Sequence, residues 1–182
     1  MTESRSQVVI KVCREEDVEA LNTAIPTRRQ LHLRRFRRQR EHKSTYLLAW
    51  LGGIPVGHLD ILWEGSDLES VREHLPDCPE LNAIVVAPDY RSKGIGSQLI
   101  RAAEAMVKDR GFRKACIGVA TDNPRAKKLY ESLGYRDWGH GIVEESWTDV
   151  DEVGNEITVT GQDFILVNNL RKWQGQAPAQ RA

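Results

Sequence analysis

The chain has 182 residues, 40% of them hydrophobic, which fits one globular domain that can bury a core without metals or disulfides. Lysine plus arginine equals aspartate plus glutamate, at 26 each, so the overall charge neither indicates nor excludes a polyanionic partner. Because no apolar run reaches 18 residues and the polar segment 1–7 lacks the core of a signal peptide, we expect a cytoplasmic protein with no membrane partner.

The cysteines indicate neither a disulfide framework nor a metal site. Cys13, Cys78 and Cys116 are odd in number and widely spaced, without a Cys-x-x-Cys pair or the paired spacing of zinc ligands. We expect reduced thiols and no bound metal.

Charge is distributed unevenly along the chain. Segment 1–43 has eleven lysines and arginines against six acids, whereas segment 144–163 has seven acids and no lysine or arginine. Any electrostatic role must therefore come from local patches.

The N-terminal part predicts a strand followed by two helices. The β-branched run 7–13 indicates a strand, and the acidic cluster after it is typical of a helix start. Residues 27–43 predict a surface helix, because Leu31, with Arg35 and Phe36 one turn later, gives only a weak apolar stripe among seven arginines.

A hairpin is predicted next. Residues 45–51 and 54–63 are apolar and β-favouring, and Gly52-Gly53 between them suits a two-residue turn that needs positive φ at both positions. The polar segment 64–79 predicts a loop with one short helix around 68–75.

The remaining elements alternate between strand and helix. Apolar periodicity predicts strand 81–87, helix 95–110, strand 114–120, helix 124–133, and β runs at 141–147 and 157–168. The order β-α-α-β-β-β-α-β-α-β-β indicates one α/β domain, a mixed sheet with helices on both faces. The composition of 174–182 predicts a disordered tail.

The turn Arg91-Ser92-Lys93-Gly94-Ile95-Gly96 has the pattern of a phosphate cradle. Its small residues leave backbone N–H groups exposed at a helix N-terminus, which favours a pyrophosphate. Gly94 and Gly96 permit close approach, and Arg91 and Lys93 can add charged contacts. Taken alone, the hexapeptide fits an ordinary helix entrance with surface cations equally well.

The strand, turn and helix start together resemble the central motif, Arg/Gln-x-x-Gly-x-Gly/Ala, of the GNAT superfamily of acetyl-CoA-dependent N-acetyltransferases. A second element follows at the family's usual distance: a helix that carries Tyr130, with Asn123 as its expected cap and Pro124 at its first position. The resemblance is specific over 81–135 and rests on element order from Val8 onward. The fixed positions of the central motif are matched by Arg91, Gly94 and Gly96.

The resemblance implies one GNAT-like domain over 1–173. Its sheet would be splayed between the fourth and fifth strands, with the pantetheine arm of acetyl-CoA in the gap. A backbone N–H near Val85 or Val86 would polarise the thioester carbonyl. The cofactor-binding residues that the resemblance implies are Val85, Val86, Arg91, Ser92, Lys93, Gly94, Ile95, Gly96, Ser97, Asn123, Lys127 and Tyr130.

Amine acetylation needs a neutral amine, a polarised carbonyl and a proton for the departing thiolate. Tyr130 is the candidate acid, since a phenol of pKa about 10 can donate to a thiolate near 8.5, although a packed core tyrosine is the alternative. Glu80 opens the strand before the turn, where some members of the family have a glutamate base, so the resemblance makes it the candidate base, or else it is a solvated acid at a strand end. His58 and His140 are alternative bases because the ordinary histidine pKa is near neutrality.

The acceptor is expected to be a small-molecule amine, such as a polyamine or an aminoglycoside-like antibiotic, that attacks in a ternary complex. The acids of 144–163 would form a wall that attracts a cation, with Trp63 and Trp147 stacking on it, or they are only solvated. Segments 64–79 and 144–163 match nothing general in the family, so we expect them to contact the substrate.

The Arg-rich helix, Arg28 to Arg40, conflicts with a purely cationic acceptor. Its arginines can bind a carboxylate or phosphate of the substrate, the 3′-phosphate of CoA, or a nucleic acid, although no recognised DNA-binding motif supports the last. The rival functions are a peptide or protein N-acetyltransferase and a catalytically silent acyl-CoA-binding regulatory module. The retention of Asn123 and Tyr130 argues against the silent module, and a homodimer is one expectation for the assembly.

Overall fold

The computed structural model describes residues 7–151 and 153–170, and the predicted tail lies outside this part of the chain. No helix in that part is long and apolar enough to cross a membrane. It contains seven strands and five α-helices: β1 (Val9–Val12), α1 (Asp17–Ala24), α2 (Leu31–Arg40), β2 (Ser44–Leu51), β3 (Ile54–Leu62), α3 (Glu69–His74), β4 (Glu80–Val86), α4 (Ile95–Asp109), β5 (Lys114–Ala120), α5 (Pro124–Ser132), β6 (Arg136–Val150) and β7 (Glu156–Asn169).

All seven strands form one sheet, in the order β1-β2-β3-β4-β5-β7-β6, with helices on both faces. Alternate residues of a strand face opposite sides, so Leu47 and Leu48 of β2 enter different cores. Leu48 packs with Leu21 of α1 and Phe36 of α2, whereas Leu47 shares a core with Leu99 of α4. The predicted α/β class is confirmed.

The sheet opens between β4 and β5, the one parallel pair of neighbours among the described strands. These strands share a single pair of facing residues, Glu80 with Cys116, before they diverge. On its other side β5 pairs with β7 along its whole length, from Lys114 to Ala120. The predicted splay between the fourth and fifth strands is therefore confirmed.

The predicted hairpin and the predicted thiols are also confirmed. Gly52 and Gly53 have φ of 58° and 81°, and β2 and β3 pair antiparallel on either side of them. The cysteines are buried and form no disulfide: Cys13, Cys78 and Cys116.

The helix predicted over 27–43 is shorter and more deeply packed than expected. It begins at Leu31, because Arg29 and Gln30 adopt left-handed backbone angles, with φ of 54° and 52°, that no α-helix contains. Its buried face is formed by His32 and Phe36. His32 is fully buried. Both of its ring nitrogens have hydrogen-bond partners, the Ile25 carbonyl and the Tyr46 hydroxyl, each at 2.6 Å.

The strand predicted at 141–147 begins five residues earlier, at Arg136. Its pairing with β7 shifts register between Asp137 and Ile142. Gly139 and Gly141, both with positive φ, lie inside this irregular stretch. The two glycines therefore lie at a bulge within one long strand.

Candidate active site

A cavity of about 500 Å³ lies along the opening between β4 and β5. It is bordered by the end of β4, the turn before α4 and the first two turns of α5. Ten of the residues predicted to bind the cofactor line it: Val85, Val86, Arg91, Ser92, Gly94, Ile95, Gly96, Ser97, Asn123 and Tyr130.

The turn before α4 has the backbone shape that a phosphate cradle requires. Gly94 is the N-cap of this 15-residue helix and has φ of 78°, a conformation that favours glycine. A Cβ at Gly94 would meet no atom within 4 Å, so open space faces the helix start. Arg91 is held beside it, because its Nε donates to the Val86 carbonyl at 3.0 Å. The positive end of the helix and its free N–H groups therefore border the cavity.

Two predicted cofactor ligands point elsewhere. The Lys93 ammonium donates to the Asp89 carbonyl at 3.0 Å. The Lys127 ammonium lies 4.2 Å from the centre of the Phe164 ring. The cavity instead includes Arg125, which donates to the Ser92 hydroxyl at 2.7 Å. Sequence reasoning could not distinguish Arg125 from Lys127, because both are near the start of the same helix.

Helix α5 positions the predicted acid. The side chain of Asn123 caps the helix by accepting from the Ala126 N–H at 3.1 Å, with Pro124 at the first position, as expected. Tyr130 is 6% exposed and lines the cavity. Burial raises its pKa to about 12, so the phenol stays protonated throughout the neutral range.

A second cavity, of about 730 Å³, lies on the α1/α2 side of the sheet. Residues from α2, β3, β4 and β6 border it. Its polar lining consists of Arg28, Arg29, Arg34, Arg35, Arg38, Asp60, Asp67, Asn82, Trp147, Thr148 and Asp149.

The two cavities approach each other at an irregularity in β4. Asp60 faces Asn82, whereas His58 faces Val85, so β4 has one more residue than β3 between these pairs. Ala83 lies in the extra stretch and has φ of 51°, the signature of a β-bulge. The first cavity reaches Ile84 and the second reaches Asn82. The two cavities therefore border β4 at Ile84 and Asn82, with the bulge at Ala83 between them.

Glu80 is buried at the closed end of the opening and lines neither cavity. Burial raises the pKa of its carboxyl. One carboxyl oxygen accepts from the Asn82 amide at 2.8 Å, and the other has no hydrogen-bond partner among the described residues. At about 3.3 Å per residue, Glu80 is some 16 Å along the strand from Val85. The Asn82 amide, which borders the second cavity, links Glu80 to that cavity.

Asp60 is the functional candidate that the sequence analysis missed. It is 2% exposed, borders the second cavity and faces Asn82 across the strands. Its Oδ1 has no hydrogen-bond partner in the described part of the chain. Burial raises its pKa to about 6, against the opposing effect of Arg35 and Arg38. The sequence signal that could have identified it is that Asp60 is the single acid within the apolar run 54–62.

The two histidines proposed as bases line neither cavity. His58 is buried beside the rings of His32 and Tyr46, and burial, with Arg35, lowers its pKa to about 3. His140 packs against His74, with ring centres 4.2 Å apart. A histidine of pKa about 3 is too weak a base to take a proton from an amine.

The expected acidic wall is not assembled around the second cavity. Among the described acids of 144–163, only Asp149 lines it. Glu156 pairs with Arg29 at 3.3 Å, and Glu152 lies outside the described residues. Trp147 borders the cavity as expected, but Trp63 is buried in the core. Arginines of the loop before α2 and of α2 itself provide most of the charge there.

Comparison with known proteins identifies the family of this chain. The family model described as the Acetyltransferase (GNAT) family matches residues 10–135. Mycothiol acetyltransferase from Corynebacterium glutamicum (strain R) is 31% identical over 77 residues, which are 41% of this chain and 26% of that protein. The matched region thus spans about a quarter of that relative's length.

Solved structures share the fold. An N-acetyltransferase from Staphylococcus aureus Mu50 superposes with a TM-score of 0.66 at 18% identity, over 91% of this chain and 100% of that one. PaiA N-acetyltransferase from Thermoplasma acidophilum, in complex with coenzyme A, gives 0.61 at 18% identity, over 90% and 99%. Since the family model covers more than half of the sequence, the chain belongs to the GNAT family of acetyltransferases.

Proposed function

We propose that the protein is an acetyl-CoA-dependent N-acetyltransferase whose acceptor is a small-molecule amine that attacks in a ternary complex. The observation that carries the proposal is the pair of cavities that meet β4 on either side of Ala83. One has a phosphate-binding helix start, and the other has a buried carboxyl group. Acetyl-CoA would supply an acetyl group activated as a thioester.

The first cavity fits the cofactor in shape and charge. A pyrophosphate has space at Gly94, where no atom lies within 4 Å of an added Cβ. The N–H groups at the start of α4 can donate to it, and the guanidinium groups of Arg91 and Arg125 border the same cavity. A backbone N–H of Val85 or Val86, at the inner end, would polarise the carbonyl.

The proton transfers need an acid in the first cavity and a base in the second. Tyr130 is the acid that we propose. The raised pKa of Tyr130 is compatible with this role. Burial in the same cavity also raises the pKa of the leaving thiol, so the difference between the pKa values of the phenol and the thiol is largely preserved.

Asp60 is the base that we favour. It lies in the acceptor cavity, next to the position where the two cavities approach, and it is deprotonated above about pH 6. Glu80 is the rival, acting through its hydrogen bond with Asn82. General acid–base groups of this kind contribute about 10²- to 10⁴-fold each to a rate.

Titration with acetyl-CoA, followed by the melting temperature, tests the cofactor site. A ligand at about 100 times its Kd stabilises a protein by roughly 2.7 kcal/mol, which for this size is a rise of roughly 5 to 10 °C. Gly94→Glu should remove the rise, because its carboxylate occupies the phosphate position and repels the ligand.

Gly53→Glu is the matched control. Gly53 has φ of 81°, close to the 78° of Gly94, and an added Cβ there also meets no atom within 4 Å. Both variants should therefore lose similar backbone stability, while only Gly94→Glu loses the response to acetyl-CoA. Release of free CoA thiol with a panel of amines then tests catalysis. A melting shift without turnover on any amine would favour the silent binding module.

A further inference from the structure

The arginines of α2 are divided between two faces of the helix. Leu31, Arg34, Arg35 and Arg38 line the second cavity, at the spacing that places residues on one side of a helix. Arg37 and Arg40 do not line it and are exposed. The opposite side carries His32 and Phe36, which pack on the sheet. The helix therefore directs a selected set of guanidinium groups into the cavity.

The arginines that line the cavity outnumber the aspartates that line it. Five arginines line it against three aspartates. Arg38 is matched by Asp67 through two hydrogen bonds, at 2.6 and 3.1 Å. Arg29 donates to the Thr148 carbonyl at 2.7 Å and pairs with Glu156. These two cations therefore have partners within the protein.

Arg34 and Arg35 are differently placed. Within residues 7–151 and 153–170, the Arg34 guanidinium makes no hydrogen bond or ion pair, although it borders the cavity. Arg35 lies over the Tyr46 ring at 5.9 Å and acts electrostatically on Asp60. A planar guanidinium with open donors is the group that best matches a carboxylate or phosphate.

We propose that the acceptor amine also carries an anionic group, a carboxylate or phosphate, which Arg34 and Arg35 bind while the amine faces Asp60. The inference rests on the proposed function and specifies its substrate class. A polyamine, with two or more positive charges, would be repelled by the excess of arginine in this cavity. An amine with an anionic group instead satisfies both ends, since its ammonium meets a carboxylate and its anion meets the arginines.

Calorimetric binding without acetyl-CoA tests the site separately from catalysis. Phosphoethanolamine against ethanolamine probes a phosphate, and glycine against glycinamide probes a carboxylate, with spermidine as the polycation. At least one anionic amine should bind about 10- to 100-fold more tightly than its counterpart without the anionic group, the range expected for charge-assisted hydrogen bonds. Arg34→Gln should remove most of that preference. Arg34→Lys should restore only part of it, because a point charge lacks the forked geometry.

Arg37→Gln is the control on the same helix, since it removes one exposed arginine outside the cavity. An equal loss in this variant would indicate diffuse attraction to the whole arginine-rich surface, as a nucleic acid would show, and would overturn the assignment. Tighter binding of ethanolamine, glycinamide or spermidine than of the anionic amines would also overturn it.

The binding assay and the acetyl-CoA titration test the two proposals separately, so that either proposal can be rejected without the other. Loss of anion preference, with the acetyl-CoA melting shift and CoA release intact, would reject the substrate class and keep the transferase. Gly94→Glu should abolish the acetyl-CoA shift and leave the binding of the anionic amine within about twofold of wild type, because it changes the first cavity only.

Discussion

Tyr130→Phe is expected to lower kcat by about 10²- to 10³-fold while the affinity for acetyl-CoA changes by less than about threefold. The ring is 6% exposed and contributes to the wall of the first cavity, so phenylalanine keeps the packing and removes only the proton donor. The measurement is kcat from CoA release at saturating substrates, beside the Kd of acetyl-CoA from the melting titration.

Tyr135→Phe provides the matched control for this prediction. Tyr135 is also buried, its ring centre lies 6.4 Å from that of Tyr130, and it lines neither cavity. Its hydroxyl has no hydrogen-bond partner among the described residues, so its removal should cost little. A kcat in Tyr130→Phe equal to that of Tyr135→Phe would exclude Tyr130 as the acid. A parallel loss of acetyl-CoA affinity would indicate a packing role instead.

The cofactor side of the molecule was predictable because its signals are local. A glycine at a left-handed helix start, an asparagine cap followed by proline, and a Gly-Gly turn each constrain the backbone within a few residues. Asn123 caps α5 and Gly52-Gly53 forms the turn, both as predicted, and Gly94 leaves open space at the start of α4. The opening between β4 and β5 followed from the family resemblance that these local motifs carried.

The acceptor side was only partly predictable because it is assembled from four distant elements. The sequence indicated that the helix Arg28 to Arg40 can bind an anion of the substrate, but not which of its arginines reach the cavity. Charge counted along the chain pointed to the acids of 144–163, but in the structure Asp149 is the only described one of them that lines the cavity. The helical face selects Arg34 and Arg35 for the cavity and leaves Arg37 and Arg40 outside it. That selection depends on where α2 begins, which the left-handed angles of Arg29 and Gln30 determine.

Asp60 shows the same limit at a single residue. An acid in a strand is ordinarily assigned to a solvent-facing position, and nothing in 54–62 reveals that both faces of β3 are covered by helices. Burial under α2 gives this carboxyl its raised pKa, and the pairing with Asn82 places it near the bulge. The raised pKa and the position near the bulge both come from tertiary packing, which residues 54–62 alone do not reveal.

Asp60→Asn is expected to lower kcat/KM by about 10²- to 10³-fold above pH 7 and to abolish a pH dependence that Asp60 imposes on the wild type. With a pKa of about 6, the carboxyl group is protonated and inactive as a base below that pH. The wild-type kcat/KM should therefore rise with pH through an apparent pKa near 6. Glu80→Gln, measured over the same range, should retain this rise if Asp60 is the base.

The same substitution should make the fold more stable in alkaline solution. The pKa of Asp60 is raised from 3.8 to about 6 on folding, so the unfolded chain loses this proton first as the pH increases. The protonated form therefore stabilises the native state fully below about pH 4, and this contribution is lost as the pH rises through 6. Asparagine, which stays neutral, should raise the free energy of unfolding by about 2 kcal/mol at pH 8 and by almost nothing at pH 3.

Urea denaturation of the wild type and Asp60→Asn at the two pH values measures that difference. A variant that is slower but more stable at pH 8 would show that the buried carboxylate is kept for catalysis at a cost to stability. A variant less stable than wild type at pH 8 would mean that the ionised carboxylate supports Arg35 and Arg38 in the folded state. Kinetics would then decide the base: a pH dependence of kcat/KM that persists in Asp60→Asn and is lost in Glu80→Gln would assign the role to Glu80.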